Sequence, residues 1–351
     1  MYPVRMTWMI YGASGYTGEL IAREAKRRGL VPILAGRTLS KLAPLAQELG
    51  FEARAFALSS AVEIAQNLEG VAVVLNCAGP FSRTAAPMMA ACLTTGTHYL
   101  DITGEIPVLE SAHGHNAAAV AANIVICPGA GFDVVPTDCA AAMLKAALPE
   151  AEELWLGFDA GQRMSPGTAK TMMEYAGQGG KVRRGGKITP YPVGAGIQTL
   201  DFGRGPTRAM PVPWGDVASA YYSTGIPNIT VFTPMPIGLE LTTRALAVLT
   251  RSAAVTGWLQ NLIGARLAGP TAEQREAGPA YVFGRVTAPD GRTKEIRLTT
   301  PNGYTLTVLS AVAMTEHLLA GDFTPGVTTP SRLMGASFIL SLLGTKLVTP
   351  P

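Results

Sequence analysis

Short apolar runs alternate with amphipathic stretches through the first third of the chain. The runs of strand length lie at residues 8–11, 32–35, 52–57, 71–77, 98–102 and 123–127. Between them, apolar positions recur at helical spacing, and several of these stretches end at a glycine, which commonly stops a helix. Strands that alternate with helices predict a parallel, doubly wound α/β sheet of the Rossmann type.

After residue 131 the pattern changes. Strand-like segments follow at wider spacing, at residues 154–158, 229–232, 281–287 and 293–298. Pro289-Asp290-Gly291 predicts a hairpin turn between the last two. The stretch 161–213 is rich in glycine and proline and predicts a long loop, whose basic residues we expect to be flexible and solvated. The pattern therefore predicts a second α/β domain with a mixed or antiparallel sheet.

These patterns predict three segments with separate places in the fold. Residues 1–131 form a Rossmann domain, and residues 132–327 form a domain for substrate binding or dimerisation. The final segment, 328–351, packs back on the first domain. Within it the apolar stretch 333–343 predicts a docking helix, the alternative being a peripheral membrane contact by 333–348.

Composition narrows the possible functions. Of the 351 residues 48% are hydrophobic and 15% charged, which favours a large buried core. The net charge of +3 and the lack of a long basic run argue against nucleic-acid binding. No uncharged apolar stretch reaches the length of a membrane span. Four cysteines without a CxxC pair predict reduced core thiols in a cytoplasmic protein.

A glycine-rich turn lies between the first predicted strand and the first predicted helix. Its sequence is Gly12-Ala13-Ser14-Gly15-Tyr16-Thr17-Gly18. Glycines at this place allow backbone N–H groups to approach a pyrophosphate, and the helix start adds its positive dipole end. We therefore expect a dinucleotide to contact Gly12, Ser14, Gly15, Tyr16, Thr17 and Gly18.

The end of the second strand indicates which dinucleotide. NAD sites usually have an acidic residue there for the ribose 2′-hydroxyl, but no acidic residue occurs between Glu24 and Glu48. Arg37 offers a planar donor group for a 2′-phosphate, with Ser40 and Lys41 close behind. The sequence predicts NADP, the alternative being that Arg37 is an ordinary surface arginine.

Two further strand ends fall on the same predicted edge of the sheet. The fourth strand ends in small residues that would let the nicotinamide pass, and we expect Ala78, Gly79, Pro80 and Phe81 to contact the cofactor. The fifth strand leads into Thr103, another expected cofactor contact. Tyr99, Asp101 and Glu105 are the candidate catalytic residues. The alternative is that Asp101 caps a turn and Glu105 caps the next helix.

Other candidate residues are less specific. Asp133 and Asp138 are interpreted as helix caps or substrate contacts, and the stretch 165–171 as an anion-binding helix start or a simple cap. No tyrosine precedes a lysine by four positions and GxSxG does not occur, which excludes a short-chain dehydrogenase dyad and a serine hydrolase elbow. His113 and His115 lack cysteine partners, so no metal site is expected.

Taken together, these motifs resemble the saccharopine dehydrogenase-like oxidoreductases. The matching segments are Gly12–Gly18, Gly36–Arg37, Gly79–Phe81, Tyr99–Glu105 and Gly131–Asp138. The C-terminal half looks most like the trans-acting enoyl reductases, through Phe283-Gly284-Arg285-Val286, Pro301-Asn302-Gly303-Tyr304 and Thr329-Pro330, although Asn302 stands where a carboxylate is usual. The resemblance implies an NADP-binding Rossmann domain followed by an α/β substrate domain.

Three functions remain open at this point. The first is an NADPH-dependent oxidoreductase that reduces a hydrophobic acyl or enoyl substrate, free or bound to a carrier. The second is an amino-acid dehydrogenase of the saccharopine type, with Lys181, Arg183, Arg184 and Lys187 as candidates for binding carboxylates. The third is a non-catalytic NADP-binding sensor. The large apolar side chains after residue 210 line a pocket, form a homodimer interface or belong to the ordinary core.

Overall fold

The computed structural model of the chain describes residues 7–160, 179–235 and 271–348. The chain divides into two compact units. The first comprises Met1–Phe132 and Leu306–Met334, and the second comprises Asp133–Thr305 and Gly335–Pro351. Each unit contains one β-sheet.

The first unit is built on a seven-stranded sheet in the order β15-β6-β5-β4-β1-β2-β3, in which every pair is parallel. Its strands are β1 Thr7–Tyr11, β2 Pro32–Gly36, β3 Ala53–Ala55, β4 Val71–Asn76, β5 His98–Asp101, β6 Val125–Cys127 and β15 Gly326–Val327. Its helices are α1 Tyr16–Arg27, α2 Leu39–Leu49, α3 Ala61–Leu68, α4 Phe81–Thr95, α5 Ile106–His113, α6 Asn116–Ala121, most of α10 Gly303–Leu319, and α11 Pro330–Met334.

The central strands of this sheet are buried on both faces. Every residue of β2 is buried, and only the second residue of β4 is partly exposed. Continuous apolar runs are typical of parallel strands covered by helices on both sides. Helix α1 turns Ile21, Ala22 and Ala25 inward and keeps its charged residues outside. These apolar faces hold the strand ends of the sheet in fixed positions.

The second unit contains a mixed sheet in the order β10-β11-β12-β7-β13-β14-β16, with a β8–β9 hairpin joined to β12. Its strands are β7 Glu153–Asp159, β8 Gly180–Arg184, β9 Lys187–Tyr191, β10 Gln198–Asp201, β11 Pro206–Pro211, β12 Asn228–Pro234, β13 Ala280–Thr287, β14 Thr293–Thr300 and β16 Lys346–Leu347. Its helices are α7 Val135–Ala147, α8 Asp216–Thr224, α9 Ala272–Ala277 and α12 Phe338–Ser341. Among the strand pairs that the structure describes in this sheet, β12 with β7 is parallel and the others are antiparallel.

Two glycines let large side chains lie against this second sheet. A Cβ atom on Gly157 would come within 2.9 Å of the Phe202 ring, and one on Gly284 within 2.7 Å of the Leu144 side chain. Distances this short are not tolerated between carbon atoms, so each glycine provides the space that its neighbour fills. The sheet is therefore packed closely at its centre.

The predicted fold class is confirmed: a parallel Rossmann-type sheet is followed by a second α/β unit with a mixed sheet. The hairpin at 289–291 is present, with the Arg292 N–H bonded to Asp290 Oδ1 at 3.0 Å. The long loop expected over 161–213 is wrong for its described part, 179–213, which contains β8 to β11. Its strands are short and interrupted by proline and glycine, so they carry little alternation.

The basic residues of that segment also differ from the expectation of a flexible, solvated loop. Lys181, Arg183, Arg184 and Lys187 lie in the β8–β9 hairpin. Arg183 is buried: its Nε atom donates to the Val217 carbonyl at 2.8 Å, and its guanidinium lies 4.2 Å from the centre of the Tyr221 ring. Backbone acceptors and an aromatic face replace the water that a buried guanidinium loses.

The C-terminal part divides differently from the predicted boundaries. The stretch that returns to the first unit is Leu306–Met334, where β15 pairs with β6, whereas residues from 335 onward belong to the second unit, where β16 pairs with β14. The docking helix expected over 333–343 is two short helices, α11 and α12. They are separated at Gly335, whose φ of +88° ends the first.

Candidate functional site

The glycine turn joins β1 to α1 at the carboxyl edge of the parallel sheet. Gly12 has a φ of +86°, and a Cβ atom there would lie 2.8 Å from the Ala78 nitrogen. A Cβ atom on Gly18 would lie 2.4 Å from the Gly12 carbonyl oxygen. Both positions therefore require glycine, one for its backbone conformation and both for the close approach of neighbouring backbone.

The turn presents a helix start to the outside. Ser14 and Gly15 are exposed, and α1 begins directly after them at Tyr16. The first N–H groups of a helix have no partner within it, and the helix dipole places partial positive charge at this end. A Cβ atom on Gly15 would stand only 3.2 Å from the Gly12 oxygen, so a larger side chain is disfavoured here too. The arrangement is suited to a phosphate group.

Arg37 lies just beyond the end of β2, beside the glycine turn. It is exposed, as are Ser40 and Lys41 at the start of α2. Its charge acts on Tyr11: burial raises the pKa of the Tyr11 phenol, and the Arg37 guanidinium opposes this rise. The neighbouring strand end thus offers a cation and hydroxyl groups to an anion, with no carboxylate at this position of the chain.

Ala78 to Phe81 connect β4 to α4 and pass close to Gly12. Ala78 and Pro80 are partly exposed and Gly79 is exposed, whereas Phe81 is buried and its ring belongs to the hydrophobic core of the unit. Helix α4 begins at Phe81. Phe81 therefore supports the core, while Gly79 and Pro80 are more open to solvent in this connection.

Glu105 binds the start of that helix. Its Oε1 atom accepts the Phe81 N–H at 2.8 Å and its Oε2 atom accepts the Ser82 N–H at 2.7 Å. The carboxylate is 1% exposed. It thus satisfies the first two N–H groups of α4, and its negative charge complements the helix dipole. The Glu105 side chain therefore caps α4, which precedes it in the chain; Glu105 also occupies the N-cap position of α5, but its side chain makes no capping bond there.

Asp101 ends β5 and lies completely buried. Its Oδ1 atom accepts the N–H groups of Thr103 at 3.0 Å and Gly129 at 2.8 Å, and its Oδ2 atom accepts the Tyr99 hydroxyl at 2.7 Å. Burial raises the pKa of Asp101 to about 6, although these three hydrogen bonds oppose the rise. Burial and the nearby Asp101 charge raise the pKa of Tyr99, so its phenol stays protonated and donates.

The structure brings most of the expected site residues to one edge. Four parts of the chain lie at the carboxyl ends of parallel strands, where ligands of open α/β sheets bind. They are the glycine turn, Arg37, the 78–81 segment and the 99–105 segment. Thr103 is buried, and its hydroxyl accepts the Glu105 N–H at 3.0 Å. Asn76 and Thr84, for which the sequence predicted no individual role, lie beside the 78–81 segment and are joined by a hydrogen bond of 3.2 Å. The available signal was a polar residue that ends the apolar run of β4.

The second unit contains a buried acidic cluster. Asp138 and Asp216 are fully buried, and Asp133 is partly buried. Thr137 donates to Asp216 Oδ1 at 2.6 Å, and Ser223 donates to Asp138. Asp216 Oδ2 has no hydrogen-bond partner. Burial raises the pKa of Asp216 well above its ordinary value and that of Asp133 to about 7, with the charges of Asp138 and Asp133 adding to the effect on Asp216.

Several expectations fall outside the described residues, namely the possible anion site at 165–171 and the apolar positions from 236 to 269. Across ranges 7–160, 179–235 and 271–348, no group of three or more histidine, cysteine or acidic side chains could hold a metal ion. In the same part of the chain no helix has the length and apolar character needed to cross a membrane.

Comparison with known families finds a match within the first unit. Residues 8–126 match the family described as saccharopine dehydrogenase NADP binding domain. The predicted NADP-binding domain, and the resemblance over these residues, are thereby confirmed. The match ends before the second unit begins.

Individual proteins that are similar to this chain have names of the same kind. A trans-acting enoyl reductase of Mycobacterium leprae is 37% identical over 140 residues, which cover 37% of this chain and 33% of that protein. A saccharopine dehydrogenase-like oxidoreductase of Bos taurus is 31% identical over 150 residues, which cover 37% of this chain and 35% of that protein. The match spans about a third of the length of these relatives.

One solved structure is similar over almost the whole chain. It is apo saccharopine dehydrogenase (L-Glu forming) from Saccharomyces cerevisiae, with a TM-score of 0.66 and 13% sequence identity. The similarity covers 98% of this chain and 100% of that one. At this identity it confirms the fold of both units and carries no conclusion about the reaction.

Proposed function

We propose that this chain, whose residues 8–126 match a saccharopine dehydrogenase NADP binding domain, is an NADPH-dependent oxidoreductase that reduces a hydrophobic acyl or enoyl substrate. The observation that carries the proposal is the joint placement of the glycine turn and Arg37 at one edge of the parallel sheet. The substrate class is supported by the names of the mycobacterial relatives and by the low charge content of the chain.

In this proposal the first unit binds three parts of the cofactor at three places along the edge of its sheet. Arg37, Ser40 and Lys41 hold the 2′-phosphate, and the α1 N-terminus and the glycine turn, including Ser14 and Thr17, hold the pyrophosphate. Ala78 to Pro80 and Thr103 border the nicotinamide, which when bound supplies the hydride. Tyr99, Asp101 and Glu105 act by holding this border in place, because their oxygens are engaged with backbone N–H groups or with each other.

Cofactor selectivity tests the first part. NADPH should bind at least about tenfold tighter than NADH, a difference of roughly 1.4 kcal/mol. Arg37→Asp should abolish this preference, since it replaces the phosphate ligand with the carboxylate of an NAD site. Arg27→Asp is the matched control: the same charge change on an exposed arginine at the far end of α1. Titration calorimetry measures the affinities of each protein for NADPH and NADH. Equal affinities for the two cofactors in the unmodified protein would refute NADP selectivity.

The glycine turn gives a second cofactor test. Gly15→Val should block NADPH binding, because a branched side chain would occupy the space in which the backbone must approach the pyrophosphate. Thermal unfolding shows whether the variant is folded. A folded Gly15→Val protein with normal NADPH affinity would place the phosphate site elsewhere.

The substrate class is tested by turnover. NADPH oxidation, followed at the nicotinamide absorbance band, should be stimulated by α,β-unsaturated acyl thioesters. It should not be stimulated by saccharopine or by lysine with 2-oxoglutarate. Turnover with the amino-acid substrates alone would replace the proposal with a saccharopine-type dehydrogenase. Tight NADPH binding without turnover of either set would favour a sensor.

The assembly and location expected from the sequence complete the proposal. We expect a homodimer in which large apolar side chains of the second unit contribute to the interface, and a substrate that arrives free or on a carrier protein. Light scattering of the purified chain tests the dimer. Comparison of a free thioester with the same acyl group on a carrier protein tests the delivery. The cytoplasmic location stays a prediction.

A further inference from the structure

Asn76 is the last residue of β4, at the point where the strand reaches the edge of the candidate site. Its side chain is fully buried and makes three hydrogen bonds. Oδ1 accepts the Ala78 N–H at 3.0 Å, and Nδ2 donates to Thr84 Oγ1 at 3.2 Å and to the Tyr99 hydroxyl at 3.4 Å. An amide side chain is required here, because one end must accept a bond and the other must donate two.

These hydrogen bonds fix both the backbone N–H and the backbone carbonyl of Ala78. Asn76 holds the N–H, and Thr84, itself held by Asn76, donates its hydroxyl to the Ala78 carbonyl at 2.6 Å. The Ala78 nitrogen is also the atom that a side chain on Gly12 would strike at 2.8 Å. A shift of the Ala78 backbone therefore changes the distance between the glycine turn and the 78–80 segment, which is proposed to contact the nicotinamide.

The same side chain begins a directed series of hydrogen bonds across three neighbouring strands. Asn76 donates to the Tyr99 hydroxyl, and the single hydrogen of that hydroxyl is given to Asp101 Oδ2. Asp101 in turn accepts the N–H of Gly129, which follows β6. The ends of β4, β5 and β6 are thus joined by side chains in addition to the backbone ladder.

We propose that Asn76 is a positioning residue that sets the place of the nicotinamide half of NADPH by fixing Ala78 against the glycine turn. It acts through Ala78 and Thr84 and does not itself touch the cofactor. The proposal rests on the proposed function, since it requires NADPH as the ligand. It predicts that Asn76 affects one half of the cofactor site, because Arg37 and the start of α1 depend on other contacts.

The experiment separates the two halves of the cofactor. Affinities are measured by calorimetry for NADPH and for adenosine 2′,5′-bisphosphate, which carries the 2′-phosphate but no nicotinamide. Asn76→Ala should weaken NADPH binding about tenfold, as expected from the loss of one or two hydrogen bonds. It should leave the affinity for adenosine 2′,5′-bisphosphate within about twofold. It should also reduce the fluorescence gain of bound NADPH, which reports the surroundings of the nicotinamide.

Two further variants make the result decisive. Asn67→Ala removes a half-buried asparagine of the same unit whose side chain donates to the Glu63 carbonyl one turn earlier, and it should change neither affinity. Thr84→Val keeps the shape of the side chain but removes the hydroxyl that holds the Ala78 carbonyl. It should give a smaller loss with the same selectivity for NADPH, and it serves as the test if Asn76→Ala does not fold.

The outcomes distinguish the possible failures. Unchanged NADPH affinity in the Asn76 and Thr84 variants overturns the positioning role. An equal loss for both ligands also overturns it, because it indicates general damage to the unit. If the unmodified protein binds neither ligand, the proposed function fails, and this proposal fails with it.

Discussion

Buried carboxylates in the two units differ in how fully their oxygens are hydrogen-bonded. In the first unit the oxygens of Asp101 and Glu105 each accept at least one hydrogen bond, mostly from backbone N–H groups. In the second unit Asp216 is equally buried but accepts a single bond from Thr137, and its other oxygen has no partner. Burial alone therefore says little about what a carboxylate does.

The difference lies in the balance between desolvation and hydrogen bonding. A carboxylate that accepts several N–H bonds recovers much of what it loses on leaving water, so it can stabilise the loops around it. A carboxylate with an unpaired oxygen loses more than it recovers, and its protonated form is favoured. Burial raises the pKa of both Asp101 and Asp216, but the three hydrogen bonds of Asp101 oppose the rise and connect strand ends, whereas Asp216 has fewer hydrogen bonds to oppose it.

The largest expected effect is on Glu105. Glu105→Gln replaces one acceptor oxygen with an N–H₂ group that faces the Phe81 or Ser82 N–H, so two donors meet in a buried place. We expect a loss of roughly 2–4 kcal/mol in the free energy of unfolding. Urea denaturation measures it, with Glu69→Gln on an exposed glutamate of the same unit as control. A loss below about 1 kcal/mol would contradict the connector role.

The pH dependence of stability should reflect Asp101. Its pKa is raised to about 6 in the folded protein, above its ordinary value of 3.8. The folded state therefore binds this proton more tightly, and the associated stability is present at low pH and lost as the pH rises through 6. The loss is on the order of 2–3 kcal/mol.

Asp101→Asn should flatten that part of the curve, because the titrating group is removed. Denaturation in urea at several pH values between 4 and 7 measures the slope, and the exposed Asp322→Asn is the control. The same slope in the unmodified protein and in Asp101→Asn would show that the carboxyl titrates normally. Asp133, whose pKa is raised to about 7, contributes in the same direction and remains in both proteins.

The smallest expected effect is on Asp216. Asp216→Asn keeps the acceptor for Thr137 and removes an acid whose charged form is disfavoured. We expect a change within about 1 kcal/mol near pH 4, where the folded protein carries no charge at this position with either residue. As the pH rises from there towards the raised pKa of Asp216, the variant should gain relative to the unmodified protein, because the unfolded chain ionises this acid while the folded chain keeps it protonated. A loss as large as that of Glu105→Gln would remove the contrast between the units.

Local patterns were sufficient for the parts of the molecule where neighbours in sequence interact. The glycine turn, the buried strands and the 289–291 hairpin depend on such patterns, and they were predicted. The start of α4 could not be deduced from neighbouring residues, because its cap is supplied by Glu105 from 24 residues away. Likewise Arg183 was interpreted as solvated, since its acceptor at Val217 lies 34 residues further on.

The same reason explains why the sequence predicted no individual role for Asn76. Asn76 looks like the polar end of a strand, and only the folded arrangement brings it beside Tyr99, 23 residues later. Tyr99 and Asp101 lie in β5 and Glu105 follows it, and the catalytic role expected for these residues stays a prediction. Which of their oxygens are occupied depends on the contacts between segments.

The pairing of β15 with β6 has a consequence for synthesis on the ribosome. Gly326 pairs with Val125, so the seventh strand of the first sheet is translated about 200 residues after its neighbour. At 5–20 residues per second, the exposed edge of β6 waits about 10–40 s for its partner. During this interval the nascent chain presents an unpaired strand, which is a target for chaperones and for wrong pairing between chains on the same messenger.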